Sequence, residues 1–398
     1  MQLDFYGTLV AATLVLLLGR SLVNRCDWLR KYNIPKPVVG GLLVALLQLV
    51  LFLTTGEALR FDASLQAPLM LAFFASIGLN ADFASLRRGG RTVFLFLAVV
   101  AGLLLVQDTL GVVLAPLLGL DPHMGLLAGS ITLSGGHGTG AAWGSVFTEK
   151  YGVASASELA MACATFGLIL GGVIGGPVAY RLIKQVQLPG GAPDTVLPQG
   201  FEEPDTSRPI TAFSLIETLA LIAICLQVGS YAANWLKGTA FELPTFVCVL
   251  FVGVLLRNGL TLLRWHEVGE REVSLLGNVS LSLFLAIALM SLRLWELAAL
   301  ALPMLVLLAA QTLAMALYAY FVTFRVMGRN YDAAVLAAGH CGFGLGATPT
   351  AIANMQAVTQ RFGPSHMAFL VVPMVGAFFI DLLNAIIIKI FLALPWLS

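Results

Sequence analysis

Two glycine-rich segments carry the residues that could do chemistry in this 398-residue chain. They cover residues 124–144 and 333–355, and neither contains Lys, Arg, Asp or Glu. Glycine occupies 7 of the 20 positions from 125 to 144, and glycine at that density disfavours a continuous helix. Broken, uncharged segments at corresponding places in two halves of a membrane chain indicate the substrate site of a secondary transporter.

The composition requires a membrane. Apolar residues make up 59% of the chain and charged residues 11%, whereas soluble domains have about 45–50% and about 25%. The net charge is +1 and basic blocks are absent from the sequence, which argues against a nucleic-acid partner. The five cysteines have the spacing of neither a disulfide framework nor a zinc site.

Apolar runs of about 20 residues predict ten transmembrane helices. These are residues 5–24, 37–54, 67–85, 92–118, 157–181, 212–234, 243–263, 274–292, 297–324 and 366–394. The glycine-rich segments lie between the fourth and fifth spans of each half, inside uncharged stretches of 27 and 28 residues. That length exceeds one upright span and is too short for two, so each segment is predicted to be a re-entrant hairpin of two half-helices.

The predicted fold is therefore an all-α polytopic membrane protein with two inverted-topology repeats. Each repeat has five transmembrane helices and one re-entrant hairpin, and Ala128-Gly129 of the first matches Ala338-Gly339 of the second. Residues 1–184 form the N-terminal repeat with a hairpin at about 122–148, and residues 211–398 form the C-terminal repeat with a hairpin at about 333–360. The Pro- and Gly-rich residues 185–210 form a cytoplasmic linker. With both termini periplasmic, seventeen Lys and Arg residues face the cytoplasm and five the periplasm, as the positive-inside rule expects.

The hairpin tips are the predicted substrate site. Entering from opposite sides, they can meet near the middle of the bilayer, where two helix N-termini would offer N–H groups and partial positive charge to a carboxylate. Pro349 suits the first turn of the second helix and Thr348 its N-cap. The predicted substrate-binding residues are Ser134, Gly135, Gly136, His137, Gly138, Thr139, Gly140, Gly344, Gly346, Ala347, Thr348, Pro349 and Thr350.

Polar residues within spans are the predicted Na⁺ ligands, since each is costly in lipid unless it has a partner. Asp381 and Asn384 lie one helical turn apart and could hold Na⁺ or the ammonium group of an amino acid. Asn278 and Ser280 form a second candidate stripe. Asp108 is interpreted as a buried helix contact, because no broken element accompanies it in sequence. A transition-metal site is not expected, since His137 and His340 do not correspond in the repeat.

Four segments resemble the bacterial sodium–glutamate symporter family: SITLSGGHGTGAAW (130–143), AGHCGFGLGATPTAIANM (338–355), PLMLAFFASIGLNA (68–81) and VPMVGAFFIDLLNA (372–385). The resemblance covers the whole chain. It implies Na⁺-coupled uptake of glutamate across a bacterial inner membrane, with Na⁺ as coupling ion and no other cofactor. It also implies a homodimer whose protomers each have a scaffold and a transport part that moves like an elevator.

Three other functions compete with this interpretation. The architecture is distantly similar to Na⁺-coupled 2-hydroxycarboxylate symporters for citrate or malate, but such substrates would favour an arginine near the tips. An intramembrane aspartyl protease would need Asp108 and Asp381 close enough to share a proton. A passive channel would need a continuous pore and would not depend on a Na⁺ gradient. The sequence favours a transporter over an enzyme.

Overall fold

The computed structural model describes residues 2–31, 34–83, 90–186, 210–239, 242–296, 300–395 and 397. Regular structure within these ranges is helical, apart from one isolated β-bridge between Gln2 and Arg60. The all-α prediction is therefore confirmed for the described part of the chain. The predicted linker lies outside the described residues from 187 to 209, as do Arg87, Arg88 and Arg208 of the charge count.

The α-helices of these ranges are α1 Phe5–Arg25, α2 Asp27–Lys31, α3 Lys36–Thr55, α4 Gln66–Asn80, α5 Gly90–Leu117, α6 Pro122–Leu126, α7 Gly136–Tyr151, α8 Ala156–Ile183, α9 Ala212–Leu236, α10 Thr245–Leu263, α11 Glu270–Met290, α12 Ala301–Tyr318, α13 Phe324–Val326, α14 Tyr331–Leu345, α15 Thr348–Phe362, α16 His366–Met374 and α17 Ile380–Leu392. Helices α6, α12 and α16 continue directly into π-helical turns, which are Leu127–Ile131, Ala319–Thr323 and Val375–Phe379.

Eight helices in the described residues are long and apolar enough to cross a membrane. They coincide with eight of the ten predicted spans. The other two predicted spans correspond to the 15-residue α4 and to the run formed by α16, a π-helical turn and α17. Large apolar side chains remain on the outside of these helices, with exposed fractions of 82% at Trp235 and 83% at Leu262. Such surfaces suit lipid, so the chain is a multi-pass membrane protein.

The helices form two compact units. Unit 1 contains α1 to α4 and α9 to α11, and unit 2 contains α5 to α8 and α12 to α17. Each unit therefore takes helices from both predicted repeats, although the repeats follow one another in sequence. The two glycine-rich segments lie together in unit 2.

Small residues allow close helix packing within each unit. In unit 1, a Cβ placed on Gly253 of α10 would lie 2.9 Å from the carbonyl oxygen of Ala75 on α4. In unit 2, a Cβ on Gly171 of α8 would lie 3.0 Å from the carbonyl oxygen of Gly342 on α14. The Asn354 side chain donates a 2.9 Å hydrogen bond to the Gly171 carbonyl. Because the backbones approach this closely, α8 packs tightly against the second glycine-rich segment.

Candidate functional site

The first glycine-rich segment folds as two antiparallel helical arms, which we call the first broken segment (residues 122–151). Its first arm begins at Pro122 after the Asp121 side-chain cap and continues through the π-helical turn Leu127–Ile131, where Gly129 is non-helical (φ −98°, ψ −134°). The arms reverse at Ser134 and Gly135, and α7 starts at Gly136 with φ +69°, a conformation that glycine adopts without strain. The ring centroid of His123 lies 4.8 Å from that of Tyr151, so both ends of the segment are adjacent.

The second broken segment (residues 331–362) has the same plan with a straight first arm. Helix α14 is capped by the Asn330 side chain, the chain reverses at Gly346 and Ala347, and α15 follows with Pro349 in its first turn. The two arms are antiparallel, because the hydroxyl group of Tyr331 donates to the carbonyl oxygen of Gly363. The expected position of Pro349 in the first turn of the second helix is confirmed.

Two expectations for the second tip are wrong in detail. Thr348 is not the N-cap: Ala347 occupies that position without a side-chain hydrogen bond, and the Thr348 hydroxyl instead donates to the Gly376 carbonyl at 2.8 Å. Gly344 is not in the turn, because α14 stays helical to Leu345. The non-helical tip therefore consists of two residues, Gly346 and Ala347. Helix α14 continues up to it, and Thr348 after it bonds to Gly376 of another helix.

The two turns lie close together, and one glutamine bonds to Ser134 in the first turn and to Gly344, two residues before the second turn. Gln107 of α5 donates from Nε2 to the Gly344 carbonyl at 2.7 Å and accepts at Oε1 from the Ser134 hydroxyl at 2.7 Å. The Ser134 hydroxyl is also 3.2 Å from the Gly344 carbonyl oxygen, and a Cβ on Gly136 would lie 3.5 Å from the Gly346 carbonyl oxygen. Gln107 is fully buried. Sequence analysis did not select it, although a glutamine beside Asp108 within an apolar span was a visible signal.

The helix starts at the turns differ from those at the outer ends of the segments. The outer starts are capped by side chains, Asp121 for α6 and Asn330 for α14. The inner starts, α7 and α15, have no side-chain cap hydrogen bond. The Thr350 hydroxyl, in the first turn of α15, is buried and has no hydrogen-bond partner within the described residues. Backbone and hydroxyl groups that could bind a carboxylate therefore concentrate at the paired turns.

The other predicted residues of the first segment lie along α7 and face neighbouring helices. His137 is buried, with Nε2 3.0 Å from the Thr165 hydroxyl oxygen on α8. Because the Thr165 hydroxyl donates to the Met161 carbonyl at 2.8 Å, the His137 Nε2 atom is the donor in this pair. Gly138 and Gly140 are buried in the same helix.

The last helical run of the chain contacts both broken segments. Its Gly376 carbonyl accepts from Thr348 of the second segment. Asp381 Oδ1 lies 3.5 Å from the Thr139 hydroxyl of the first segment, and the amide of Asn384 donates to the Ser130 carbonyl at 3.0 Å. The predicted cation pair therefore faces the first segment, with separate partners for its two members.

Asp108 has a different environment from the one its sequence position indicates. Its Oδ1 atom accepts from the Ser130 amide at 2.9 Å and its Oδ2 atom from the Ser130 hydroxyl at 2.9 Å. Asp108 therefore lies against the interruption at Gly129 and is not an isolated helix contact. The sequence hides this pairing, because the partners lie 22 residues apart on different elements.

The remaining cation candidates are in the other unit. Asn278 and Ser280 lie on α11 in unit 1, where Asn278 is exposed and Ser280 is buried. All the other predicted site residues lie in unit 2. In the described ranges, no group of three or more His, Cys, Asp and Glu residues is placed to hold a metal ion.

Comparison with known proteins gives a consistent result. A sequence model of the family described as "Sodium/glutamate symporter" matches residues 1–364. The sodium/glutamate symporter of Escherichia coli strain K12 is 69% identical over 395 residues, which cover 99% of this chain and 98% of that protein. The protein of the same name from Haemophilus influenzae is 55% identical over 388 residues, covering 97% of this chain and 96% of that protein.

Proposed function

The chain belongs to the sodium/glutamate symporter family, and from that premise we propose that it takes up glutamate with Na⁺ by binding glutamate between the two turns of unit 2. The observation that carries this proposal is the contact of the two turns through Gln107, with two uncapped helix starts beside it. A carboxylate placed there would accept hydrogen bonds from first-turn amides and face the positive ends of two helices.

The proposed substrate ligands come from both segments. From the first segment they are Ser134, Gly135, Gly136, His137, Gly138, Thr139 and Gly140, and from the second Gly344, Gly346, Ala347, Thr348, Pro349 and Thr350. Thr350 has the clearest structural support, since a buried hydroxyl without a partner costs about 1–3 kcal/mol that a bound ligand could recover. For Gly344, the carbonyl already accepts from Gln107, so its proposed contribution is to hold the turn.

We further propose that both broken segments are re-entrant hairpins in an inverted repeat. The adjacent ends of each segment support this geometry, because a chain that leaves where it entered does not cross the bilayer. The uncharged lengths of 27 and 28 residues and the cytoplasmic excess of Lys and Arg support opposite entry sides. Periplasmic termini and a cytoplasmic linker follow from the same charge distribution.

The division into units suggests how access changes. Unit 2 holds both broken segments and the helices that contact them, whereas unit 1 has no such segment in its described residues. We propose that unit 2 carries the substrate as one body in an elevator-type motion. Unit 1 would then be the scaffold of a homodimer in the bacterial inner membrane.

Na⁺ coupling requires oxygen ligands close to this site. Asp381 and Asn384 are the proposed cation ligands in unit 2, and carboxylate and amide oxygens are suitable for a hard cation. Asn278 and Ser280 remain proposed ligands of a second cation on α11. A 2-hydroxycarboxylate substrate has less support, since Arg361 lies at the far end of α15, with its guanidinium carbon 5.4 Å from the Tyr180 ring centroid.

Uptake of radiolabelled glutamate into proteoliposomes tests the proposal. We expect uptake to require an inward Na⁺ gradient and to be inhibited by excess unlabelled glutamate and much less by citrate. Thr348→Ala and Asp381→Ala should reduce uptake to background while the proteins still insert. Thr359→Ala is the matched control, because in the described part of the chain its hydroxyl bonds only within its own helix, to the Met355 and Gln356 carbonyls. Uptake unchanged in Thr348→Ala and Asp381→Ala, or independent of Na⁺, would refute the assignment.

A further inference from the structure

Three buried side chains from three elements of unit 2 form a compact oxygen cluster. Asp108 comes from α5, Ser130 from the π-helical turn and Asn384 from α17, and each is fully buried. The Ser130 hydroxyl oxygen lies 2.9 Å from Asp108 Oδ2 and 2.6 Å from Asn384 Oδ1. We call these three residues the Asp108 cluster.

The Asp108 cluster has fewer hydrogens than its short contacts need. The Ser130 hydroxyl has one proton and two close acceptor oxygens, so it can satisfy only one of them. Rotating the Asn384 amide does not help, because its Nδ2 atom donates to the Ser130 carbonyl at 3.0 Å and the exchanged oxygen would face that carbonyl. With Asp108 ionised, one of the two oxygen–oxygen contacts therefore lacks a hydrogen.

The charge of the buried Asp108 carboxylate also favours a bound cation. A buried carboxylate needs a counter-charge, since removing it from water costs several kcal/mol. Within the described residues, Asp108 forms no ion pair with Lys, Arg or His, and its partners are the amide and hydroxyl groups of Ser130. These neutral donors reduce the cost without supplying a positive charge.

The backbone is shaped around the same point. Gly129 departs from helical geometry immediately before Ser130, which turns the Ser130 amide towards Asp108. A Cβ on Gly129 would lie 2.9 Å from Asp108 Oδ1 and 3.1 Å from the Gln107 carbonyl oxygen. A side chain at residue 129 would therefore push directly on the carboxylate.

We propose that the Asp108 cluster is a Na⁺ site, with Asp108 Oδ2, Ser130 Oγ and Asn384 Oδ1 as ligands. Na⁺ is a hard monovalent cation that prefers oxygen ligands, and one carboxylate neutralises its charge. The cation relieves the short oxygen–oxygen contact, and the Ser130 proton then turns away from it. This inference rests on the proposed Na⁺ coupling and assigns Asp108 and Ser130 to it.

The location connects Na⁺ to glutamate binding. Ser130 is four residues before the first turn, and its carbonyl accepts from the amides of Ser134 and Gly135 at 3.2 and 3.0 Å. Asp108 is the neighbour in sequence of Gln107, which joins the two turns. A cation at the Asp108 cluster therefore fixes the residues that position the glutamate site.

Equilibrium binding of ²²Na⁺ to the purified full chain without glutamate tests the site. We expect Asp108→Asn to remove one bound Na⁺ per chain and Ser130→Ala to weaken binding at that site about tenfold or more. Thr132→Ala is the matched control, since its buried hydroxyl bonds the Leu127 carbonyl in the same turn and not the cluster. Size-exclusion profiles identify variants that fail to fold, and Ser130→Ala then decides the result.

The outcomes separate this site from the proposed function. Na⁺ binding of wild-type strength in Asp108→Asn or Ser130→Ala would overturn the proposal, including the case in which a proton and not Na⁺ occupies the cluster. Na⁺ binding that is lost in both variants but retained in Thr132→Ala would support it. If the wild type binds ²²Na⁺ in this way while its glutamate uptake ignores the Na⁺ gradient, the proposed function fails and the site remains.

Discussion

The two broken segments have the same plan, but their first arms bond to different kinds of partner. With an offset of 210 residues, Ser130 corresponds to His340 and Asp108 to Tyr318. Ser130 bonds to a carboxylate and an amide. His340 packs among the rings of Phe96, Tyr318 and Phe343, and its Nδ1 atom lies 2.8 Å from the Thr323 hydroxyl oxygen.

The residue that faces the first arm differs between the two segments, and so does the backbone of that arm. Asp108 offers an acceptor to the Ser130 amide, so the first arm can leave helical geometry at Gly129 at little cost. Tyr318 has no carboxylate to offer there, its hydroxyl donates to the Val99 carbonyl at 2.8 Å, and α14 remains helical through Gly339. The two segments thus differ in the residue that faces the first arm, and the proposed cation site lies where that residue is a carboxylate.

The largest expected effect comes from replacing Asp108, and its comparison is a separate variant at the corresponding residue, Tyr318. Asp108→Asn should abolish Na⁺-driven glutamate uptake, because it removes the only charged member of the Asp108 cluster. Tyr318→Phe should retain uptake and lose about 1 kcal/mol of stability, since it deletes one hydrogen bond to Val99. Proteoliposome uptake and thermal unfolding measure the two effects. Equal loss of uptake in both variants would contradict the functional asymmetry.

The paired glycines give the next largest effect. Gly129→Ala should raise the Na⁺ concentration for half-maximal uptake about tenfold, because its Cβ would displace a ligand carboxylate. Gly339→Ala meets the Met355 sulfur at 2.9 Å and Val372 methyl groups at 3.0 Å, and side chains of that kind can shift. It should therefore cost about 1–3 kcal/mol of stability with an unchanged Na⁺ dependence. A Na⁺ titration of uptake compares the variants, and a shift in Gly339→Ala alone would reverse the comparison.

The contact between the turns gives a smaller effect shared by both segments. Ser134→Ala leaves the buried Oε1 atom of Gln107 without its serine donor, which should cost about 1–3 kcal/mol. Because Ser134 also faces the Gly344 carbonyl, we expect a higher KM for glutamate together with a lower Tm. Ser145→Ala on the following helix α7 is a suitable control, since within the described residues its hydroxyl bonds only the Ala141 carbonyl. A normal KM in Ser134→Ala would place the substrate away from the turns.

The smallest effect is expected where the second segment begins and ends. Tyr331→Phe removes the hydrogen bond to the Gly363 carbonyl far from the turns and should cost about 1 kcal/mol. Uptake and its Na⁺ dependence should remain unchanged, as thermal unfolding and transport assays on one preparation would establish. A strong transport defect here would indicate that the outer ends move during the cycle.

The sequence predicts the positions of the helices far better than the hydrogen-bond partners of individual side chains. Apolar length alone locates the long helices within a few residues, because lipid demands it. Glycine content identifies both broken segments but overestimates their tips, since Gly138, Gly140 and Gly344 are accommodated inside helices. Composition of a segment tells where a helix is weak, and packing decides where it ends.

What the sequence does not predict depends on contacts between distant elements. Thr348 looks like an N-cap, but the Gly376 carbonyl competes for its hydroxyl from another helix. Asp108 looks isolated until Ser130 and Asn384 are brought to it from positions 22 and 276 residues away. Interleaving of the two halves into two units is equally invisible in a linear sequence.

The single amide of Gln107 has a consequence for which solutes the protein can accept. Its Nε2 atom donates to Gly344 of the second segment, and its Oε1 atom accepts from Ser134 of the first. A solute that separates the two segments therefore leaves one hydrogen-bond donor and one acceptor of Gln107 without partners. A zwitterionic amino acid has an ammonium group and a carboxylate on the same carbon. Its carboxylate can accept from Nε2 while its ammonium group donates to Oε1. A dicarboxylate without an ammonium or hydroxyl group can accept from Nε2 but cannot donate to Oε1, so Gln107 alone would favour an amino acid over such a plain dicarboxylate.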